Sequence, residues 1–396
     1  MNKRTFFILV SIIFITGLNQ GLLIPLLTIL LEKQGLSSTL NGFHTAGLYI
    51  GIIGTMFFVE RWVLRHGYKK MIMIGTLIVM VASILFPLWD ALAFWFVLRM
   101  LIGVGDSILH YTVQLWIVST SSAATRGRTI SLYGMAYGVG FSVGPLGINL
   151  LALNQWIAFV LLSVLFGAAF IVVRGLSNEF PQTEREADMS TKPKNKYAYL
   201  YRLAWFPLIP ALLYGYMEAS MNGIFPIYGI NVLGFEAPAV SLLLFAIGAG
   251  GLIFQYPLGM LSDKISRKKV LMGLALVGGT AFLLVPFVPS SFGVIFILFI
   301  IAGGCVGSFF SLGLAYAADI LPKSALPTAN VVASLLFSAG SLMGPTLTGF
   351  SMEFVSKHSL FYGFAGFYLT FFLLGFLFQR SQKKVAYQQM DTLNEA

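Results

Sequence analysis

The sequence predicts an all-α membrane protein with twelve transmembrane helices in two parallel six-helix repeats. Three observations carry that prediction. Of 396 residues, 57% are hydrophobic and only 10% are charged, too little polar surface for a soluble globule of this length. Twelve apolar stretches approach or exceed the roughly 20 residues a helix needs to cross a bilayer, and none shows the strand-type alternation of a barrel. Finally, landmarks recur about two hundred residues apart. Gly140-x-x-x-Gly144-Pro145 returns as Gly340-x-x-x-Gly344-Pro345, Pro25 as Pro226, Gly103 as Gly303, and Lys69-Lys70 as Lys268-Lys269. That period exceeds any solenoid repeat and fits a duplicated half-protein.

The spans fall at 5–31, 41–59, 71–89, 91–119, 129–153 and 155–174, then 204–231, 238–261, 270–288, 292–320, 326–352 and 359–378. This divides the chain into a first half at 1–174, a linker at 175–203, a second half at 204–378 and a polar tail at 379–396. Segment one follows Lys3 and Arg4, but its apolar run is too long for a signal peptide and no small-x-small cleavage site follows. Thr16, Asn19 and Gln20 are its mid-span polar residues.

Segment four carries Arg99, Gly103, Asp106, His110 and Gln114 at successive spacings of 4, 3, 4 and 4, one polar stripe along one face. Lipid would penalise that stripe, so it is expected to face inward; the alternative for Arg99 is snorkelling to the interface. Asp106 lies two turns from Arg99, too far for close contact without bridging water or long side-chain reach. Segment five is rich in glycine (Gly134, Gly138, Gly140, Gly144, Gly147), which permits close helix approach, and Pro145 is expected to bend it.

The linker's charges and prolines read as a mobile tether. Segment seven places Tyr214, Glu218 and Asn222 at i, i+4 and i+8 on one face before Pro226. Asp319 and Glu32 stand near span ends and read as interfacial. Trp116, Tyr133, Tyr137 and Tyr316 are aromatic candidates for a cavity wall. The single Cys305 permits no intramolecular disulfide.

Charge sets the expected orientation. With the N-terminus inside, 22 of the 25 Lys and Arg residues fall on the cytoplasmic side; Lys33 and Lys357 fall outside and Arg99 lies within a span. The positive-inside rule therefore places both termini in the cytoplasm. The net charge of +10 reports topology, and its scatter over short segments argues against nucleic-acid binding.

Gly259-Met-Leu-Ser-Asp263-Lys264-Ile-Ser-Arg267-Lys268-Lys269 between segments eight and nine resembles the loop signature of the major facilitator superfamily. A carboxylate there is expected to cap a neighbouring helix N-terminus across the halves and to pair with flanking bases. The first-half copy, Arg65-His66-Gly67-Tyr68-Lys69-Lys70, has Leu64 where that family places Asp. Either Glu60 substitutes one turn earlier or the latch exists only in the second half. Arg99-x-x-x-Gly103-x-Gly105 resembles the family's helix-four pattern, associated with proton coupling. Gly140-x-x-x-Gly144-Pro145 resembles its antiporter motif, typical of drug and metabolite exporters.

The resemblance spans about residues 5–378. It implies a central cavity, lined by the first and fourth helices of each half, that opens alternately to each face. Secondary transporters are commonly built from two such repeats. The implied function is proton-coupled export of a small lipophilic or cationic molecule. Arg99, Asp106 and Glu218 would handle the proton; Asn19, Gln20, His110, Gln114, Tyr214, Glu218 and Asn222 would contact substrate. Gly140, Gly144, Pro145, Gly259, Asp263, Arg267, Gly340, Gly344 and Pro345 would serve the conformational change. A proton-coupled importer or a lipid flippase of the same fold remains open, as does, more remotely, a receptor that moves nothing. No P-loop, paired Cys or His-x-x-x-His metal spacing is present, so no cofactor or metal is expected beyond the proton gradient. The expected partners are substrate, protons and lipid, with no nucleic acid. The expected form is a monomer in a bacterial cytoplasmic membrane.

Overall fold

The computed structural model describes residues 2–121, 126–181, 196–288, 291–322 and 325–394, and among them regular structure is helical throughout. Each predicted span finds its helix. In the first half these are α1 (Lys3–Lys33), α2 (Ser38–Met56, resuming as Val59–His66), α3 (Tyr68–Leu85), α4 (Leu92–Thr120), α5 (Arg126–Val143) and α6 (Ile157–Arg174). In the second they are α7 (Lys196–Gly223, resuming as Phe225–Asn231), α8 (Ala237–Lys264), α9 (Arg267–Leu284), α10 (Phe292–Val306 and Phe309–Ile320), α11 (Leu326–Phe354) and α12 (Ser359–Asn394).

Among the described residues ten helices are long and apolar enough to cross a membrane, and the pair within α2, bent by 56°, makes an eleventh. The remaining one, α7, carries Pro207, Pro210 and a non-helical Ala204, together with Glu218, which dilutes its apolar character. Linker residues 182–195 lie outside the described residues.

Close backbone approach builds each half, and glycine permits it. A Cβ on Gly17 would meet the carbonyl oxygen of Tyr137, and one on Gly140 would meet that of Phe14, so α1 and α5 interlock reciprocally. The duplicated pair repeats this: Gly215 sits on the Phe337 carbonyl and Gly340 on the Leu212 carbonyl, joining α7 to α11. Likewise Gly51 rests on Met100 O and Val104 N between α2 and α4, while Gly250 rests on Ile300 O and Gly304 N between α8 and α10. The internal repeat read from sequence landmarks is thus a repeat of backbone contacts.

The two prolines of the repeated motif act differently. At Gly144-Pro145 the α-helix gives way to a 3-10 segment, Gly144–Ala152, whereas Pro345 lies inside the uninterrupted α11.

Contacts group the chain into two compact units. One comprises Met1–Ala187, Ser220–Gly248 and Pro345–Lys357; the other comprises Asp188–Ala219, Ala249–Gly344 and His358–Ala396. These units do not coincide with the linear halves 1–174 and 204–378, because the ends of α7, α8 and α11 remote from the termini belong to the first unit. Within that unit Gly42 packs on Pro345 O and Gly349 on Ser38 O. The Thr39 amide donates to Glu353 Oε2 at 3.1 Å. Thr28 Oγ1 donates to Gly223 O at 3.0 Å and Asn231 Nδ2 to Glu32 Oε1 at 2.6 Å. Glu32, read as interfacial, therefore has a specific partner.

A methyl on Gly140 cannot be accommodated by a rotamer change, since backbone blocks it. Gly140→Ala should destabilise the purified protein by about 1–3 kcal/mol, read as a lower melting temperature. Gly54→Ala, with nothing within 4 Å of the added carbon, should leave melting unchanged; equal losses at both positions would refute the packing assignment.

Candidate functional site

The α1–α5 interlock brings side chains from three helices together inside the first unit. Gln20 of α1 donates from Nε2 to Asp106 Oδ2 on α4 at 3.1 Å. Its Oε1 accepts from the Tyr137 hydroxyl of α5 at 2.8 Å. The Tyr137 ring stands edge-on to His110, with centroids 4.8 Å apart, and His110 Nδ1 lies 2.7 Å from the Tyr133 hydroxyl. Asp106 is wholly buried and its Oδ1 has no hydrogen-bond partner among the described residues. Asn19, also wholly buried, lies beside Asp106 without closing a hydrogen bond. An ionised carboxylate with one open oxygen is costly in such surroundings, so the arrangement favours a bound proton or a cationic group.

Five side chains are thus linked, Gln20, Asp106 and His110 from the sequence-derived set plus Tyr133 and Tyr137, which sequence singled out only as wall candidates, and Asn19 lies beside them. Gln114 differs. Although it continues the α4 stripe by spacing, it is exposed and shares no hydrogen bond with the cluster.

Arg99 faces inward, as the polar stripe predicts. It is 2% exposed, which rules out snorkelling. Its guanidinium donates to Thr45 Oγ1 at 2.8 Å and Ile24 O at 3.4 Å, not to Asp106, because two helical turns separate the side chains along α4. Thr45 in turn packs its methyl against Gly223. Arg99 therefore supports the packing at the end remote from the termini, and Asp106 is held by amides instead of a base.

On α7, Tyr214 hydrogen-bonds to Glu218 one turn on, and both are half-buried. Asn222, on the same stripe, is buried and belongs with the first unit.

The α8–α9 loop forms a charged triad. Arg267 donates to Asp263 Oδ1 at 2.9 Å and to Asp319 Oδ1 at 2.7 Å, and Nη1 also reaches Ala315 O at 2.6 Å. Asp263 pairs with a flanking base, as its loop predicts. Here it lies in the last turn of α8 and spends its carboxylate on Arg267 at i+4, and the N-cap position of α9, Ser266, makes no side-chain cap. Asp319, read from sequence as merely interfacial, completes the triad; nothing in its local pattern marks it, since its partner is 52 residues away. Gly259 has open space around it, so its motif position answers no packing need here. Gly344 and Pro345 are buried. No group of His, Cys, Asp and Glu suited to a metal occurs among the described residues.

A groove of about 380 Å³ lies between α1 and α5 of the first unit. It is lined by Val10, Ser11, Phe14, Leu132, Met135, Ala136 and Val139, apolar except for one hydroxyl.

The profile of the Major Facilitator Superfamily matches residues 9–253 and 233–390. The chain belongs to that superfamily. A Bacillus subtilis protein, YfkF, described as an uncharacterized MFS-type transporter, is 38% identical over 365 residues, 91% of this chain and 92% of the other. Multidrug resistance protein 2 of the same organism is 24% identical over 298 residues, 73% and 74% of the two chains. Among solved structures, the nucleoside transporter NupG superposes with a TM-score of 0.77 at 13% identity, covering 94% of this chain and 99% of the other. A bacterial homologue of the human lysosomal transporter Spinster does so at 0.69 and 14%, covering 96% and 95%. These superpositions establish the superfamily fold. The chain is a multi-pass membrane transporter of this superfamily.

Arg267 serves both acids of the triad, and both pairs are solvent-accessible, worth about 1 kcal/mol or less each. Asp263→Asn and Asp319→Asn should therefore leave melting nearly unchanged, while Arg267→Ala should slow transport more than either. Equal transport in all four proteins would reduce the triad to a surface ornament.

Proposed function

We propose that the protein exports a small lipophilic or cationic molecule in exchange for protons, by alternating access. The buried Asp106 carries this reading. One oxygen is held by Gln20 and the other is open, which suits a carboxylate that alternates between a proton and a cationic or polar substrate group. Glu218, beside Tyr214 on α7, is the second candidate acid. Arg99, committed to Thr45 and Ile24, contributes to conformation instead of proton binding. The apolar groove between α1 and α5 favours lipophilic cargo, and the multidrug name of one relative points the same way. A proton gradient suffices as energy source; the monomer is the working unit. The distribution of basic residues supports an orientation with both termini in the cytoplasm, and the Bacillus relatives favour a bacterial cytoplasmic membrane.

Proton-coupled import, or lipid flipping, is the second reading, favoured by the same groove if an acyl chain occupies it. Direction separates the two.

Proteoliposomes with an acidic lumen and ethidium as a fluorescent lipophilic cation test the proposal. Wild-type protein should accumulate ethidium in the lumen. Asp106→Asn should abolish gradient-driven accumulation yet retain ethidium binding, and Glu218→Gln should impair one or both. Wild-type coupling in both variants would remove these acids from the proton path.

Topology has its own measurement. Single cysteines at position 178 or in the tail, in a Cys305→Ser background, should react with an impermeant maleimide only after the cells are opened. Labelling of intact cells would invert the orientation.

A further inference from the structure

In the second half Arg267 bridges Asp263 at the end of α8 to Asp319 at the end of α10. The internal repeat places Leu64, Tyr68 and Ser119 at the corresponding first-half positions. The connection survives without charge: the Tyr68 hydroxyl and Ser119 Oγ are 3.0 Å apart. Leu64 supplies no acid, and Glu60 is exposed and forms none of the ion pairs among the described residues.

An acid nevertheless reaches this place from elsewhere in the chain. Residues leaving α6 run across the α2–α3 turn. Glu179 Oε2 accepts from Trp116 Nε1 of α4 at 3.0 Å, and Glu179 O accepts from the Tyr68 amide at 2.8 Å. Asn178 Nδ2 donates to His66 O at 3.0 Å, and Asn178 Oδ1 accepts from the Lys70 amide at 3.4 Å. Lys69 Nζ donates to Arg174 O at 2.7 Å. Two orphan donors of the first turn of α3, the amides of Tyr68 and Lys70, thereby find acceptors.

The turn is shaped for this visitor. Gly67 takes φ +80°, and a Cβ there would strike the Asn178 side chain and Glu179 O. Trp116 is buried and stacked on Tyr68, with centroids 5.2 Å apart, so the carboxylate is held on a rigid aromatic platform.

We propose that Glu179, delivered by the segment after α6, is the missing acid of the first-half loop. It is a positioning residue that holds the α2–α3 turn against α4, as Arg267 holds α8–α9 against α10. The two halves thus close the same joint by different means, one with an internal ion triad and one with the start of the linker. The linker's first residues and the turn consequently move as one piece.

Hydrogen exchange on the full-length protein in detergent tests this without a substrate. Because Glu179 is exposed, Glu179→Ala should fold and melt normally. Exchange of segment 65–71 should rise about tenfold or more, leaving the rest of the chain within about twofold. Glu179→Gln keeps an acceptor oxygen for Trp116 and should retain most of the protection. Unchanged exchange in Glu179→Ala, or uniform loss along the whole chain, would each overturn the proposal. The transport arm, which alone rests on the exporter reading, expects slower ethidium turnover at unchanged half-saturating concentration. Absence of ethidium transport by wild type would count against that reading and leave the exchange result standing.

Discussion

The distance between the backbones of α1 and α5 is the constraint on which the first unit depends. Gly17 and Gly140 each face a carbonyl of the opposite helix, so neither position tolerates even a methyl group without separating the pair. That approach also sets the chemistry. Only because α5 lies so close does the Tyr137 hydroxyl reach Gln20, and only then is the Gln20 amide fixed with its NH2 toward Asp106. Van der Waals packing of small residues, which drives helix association where no hydrophobic effect operates, thus orients a polar side chain within the same pair of helices.

The buried acid and the buried base of α4 have separate tasks. Asp106 is surrounded by neutral donors and one open side; Arg99 is tied to Thr45 and a carbonyl of α1. A base shared between them would hold the carboxylate permanently ionised by direct pairing. Keeping them two turns apart leaves Asp106 with one oxygen on Gln20 and the other open. Arg99 meanwhile anchors Thr45, against which Gly223 packs, in contacts separate from those of the acid.

The fold was legible because apolar length, repeated landmarks and loop charge are all linear properties, and bilayer insertion acts on them directly. The polar cluster was partly legible for the same reason: Asn19, Gln20, Asp106 and His110 stand out in apolar spans, and helical periodicity puts the α4 members on one face. Gln114 continues the spacing but is exposed and stands outside the hydrogen-bonded cluster. What sequence could not show was pairing across loops. Thr45 as the acceptor for Arg99, Asp319 as the second acid on Arg267, and Glu179 beneath the α2–α3 turn are ordinary residues until tertiary contact selects them. Glu60, the acid near this loop in sequence, makes none of these contacts; the carboxylate that meets Trp116 comes from more than a hundred residues later.

The unequal fates of Pro145 and Pro345 have a consequence for how the duplicated halves keep pace with each other. Alpha-helix rises about 1.5 Å per residue and 3-10 helix about 2.0 Å. Through its 3-10 segment, the span Arg126–Ala152 reaches about 45 Å, close to the roughly 44 Å of the longer, wholly α-helical Leu326–Phe354. The counterpart of Ile157 at the start of α6 is Ser359 at the start of α12, so the first half is about two residues shorter past the motif than the second. A change of pitch has absorbed that shortfall. Membrane thickness dictates height and not residue number, and a proline that opens the backbone into a steeper spiral lets a duplicated helix lose residues without losing reach.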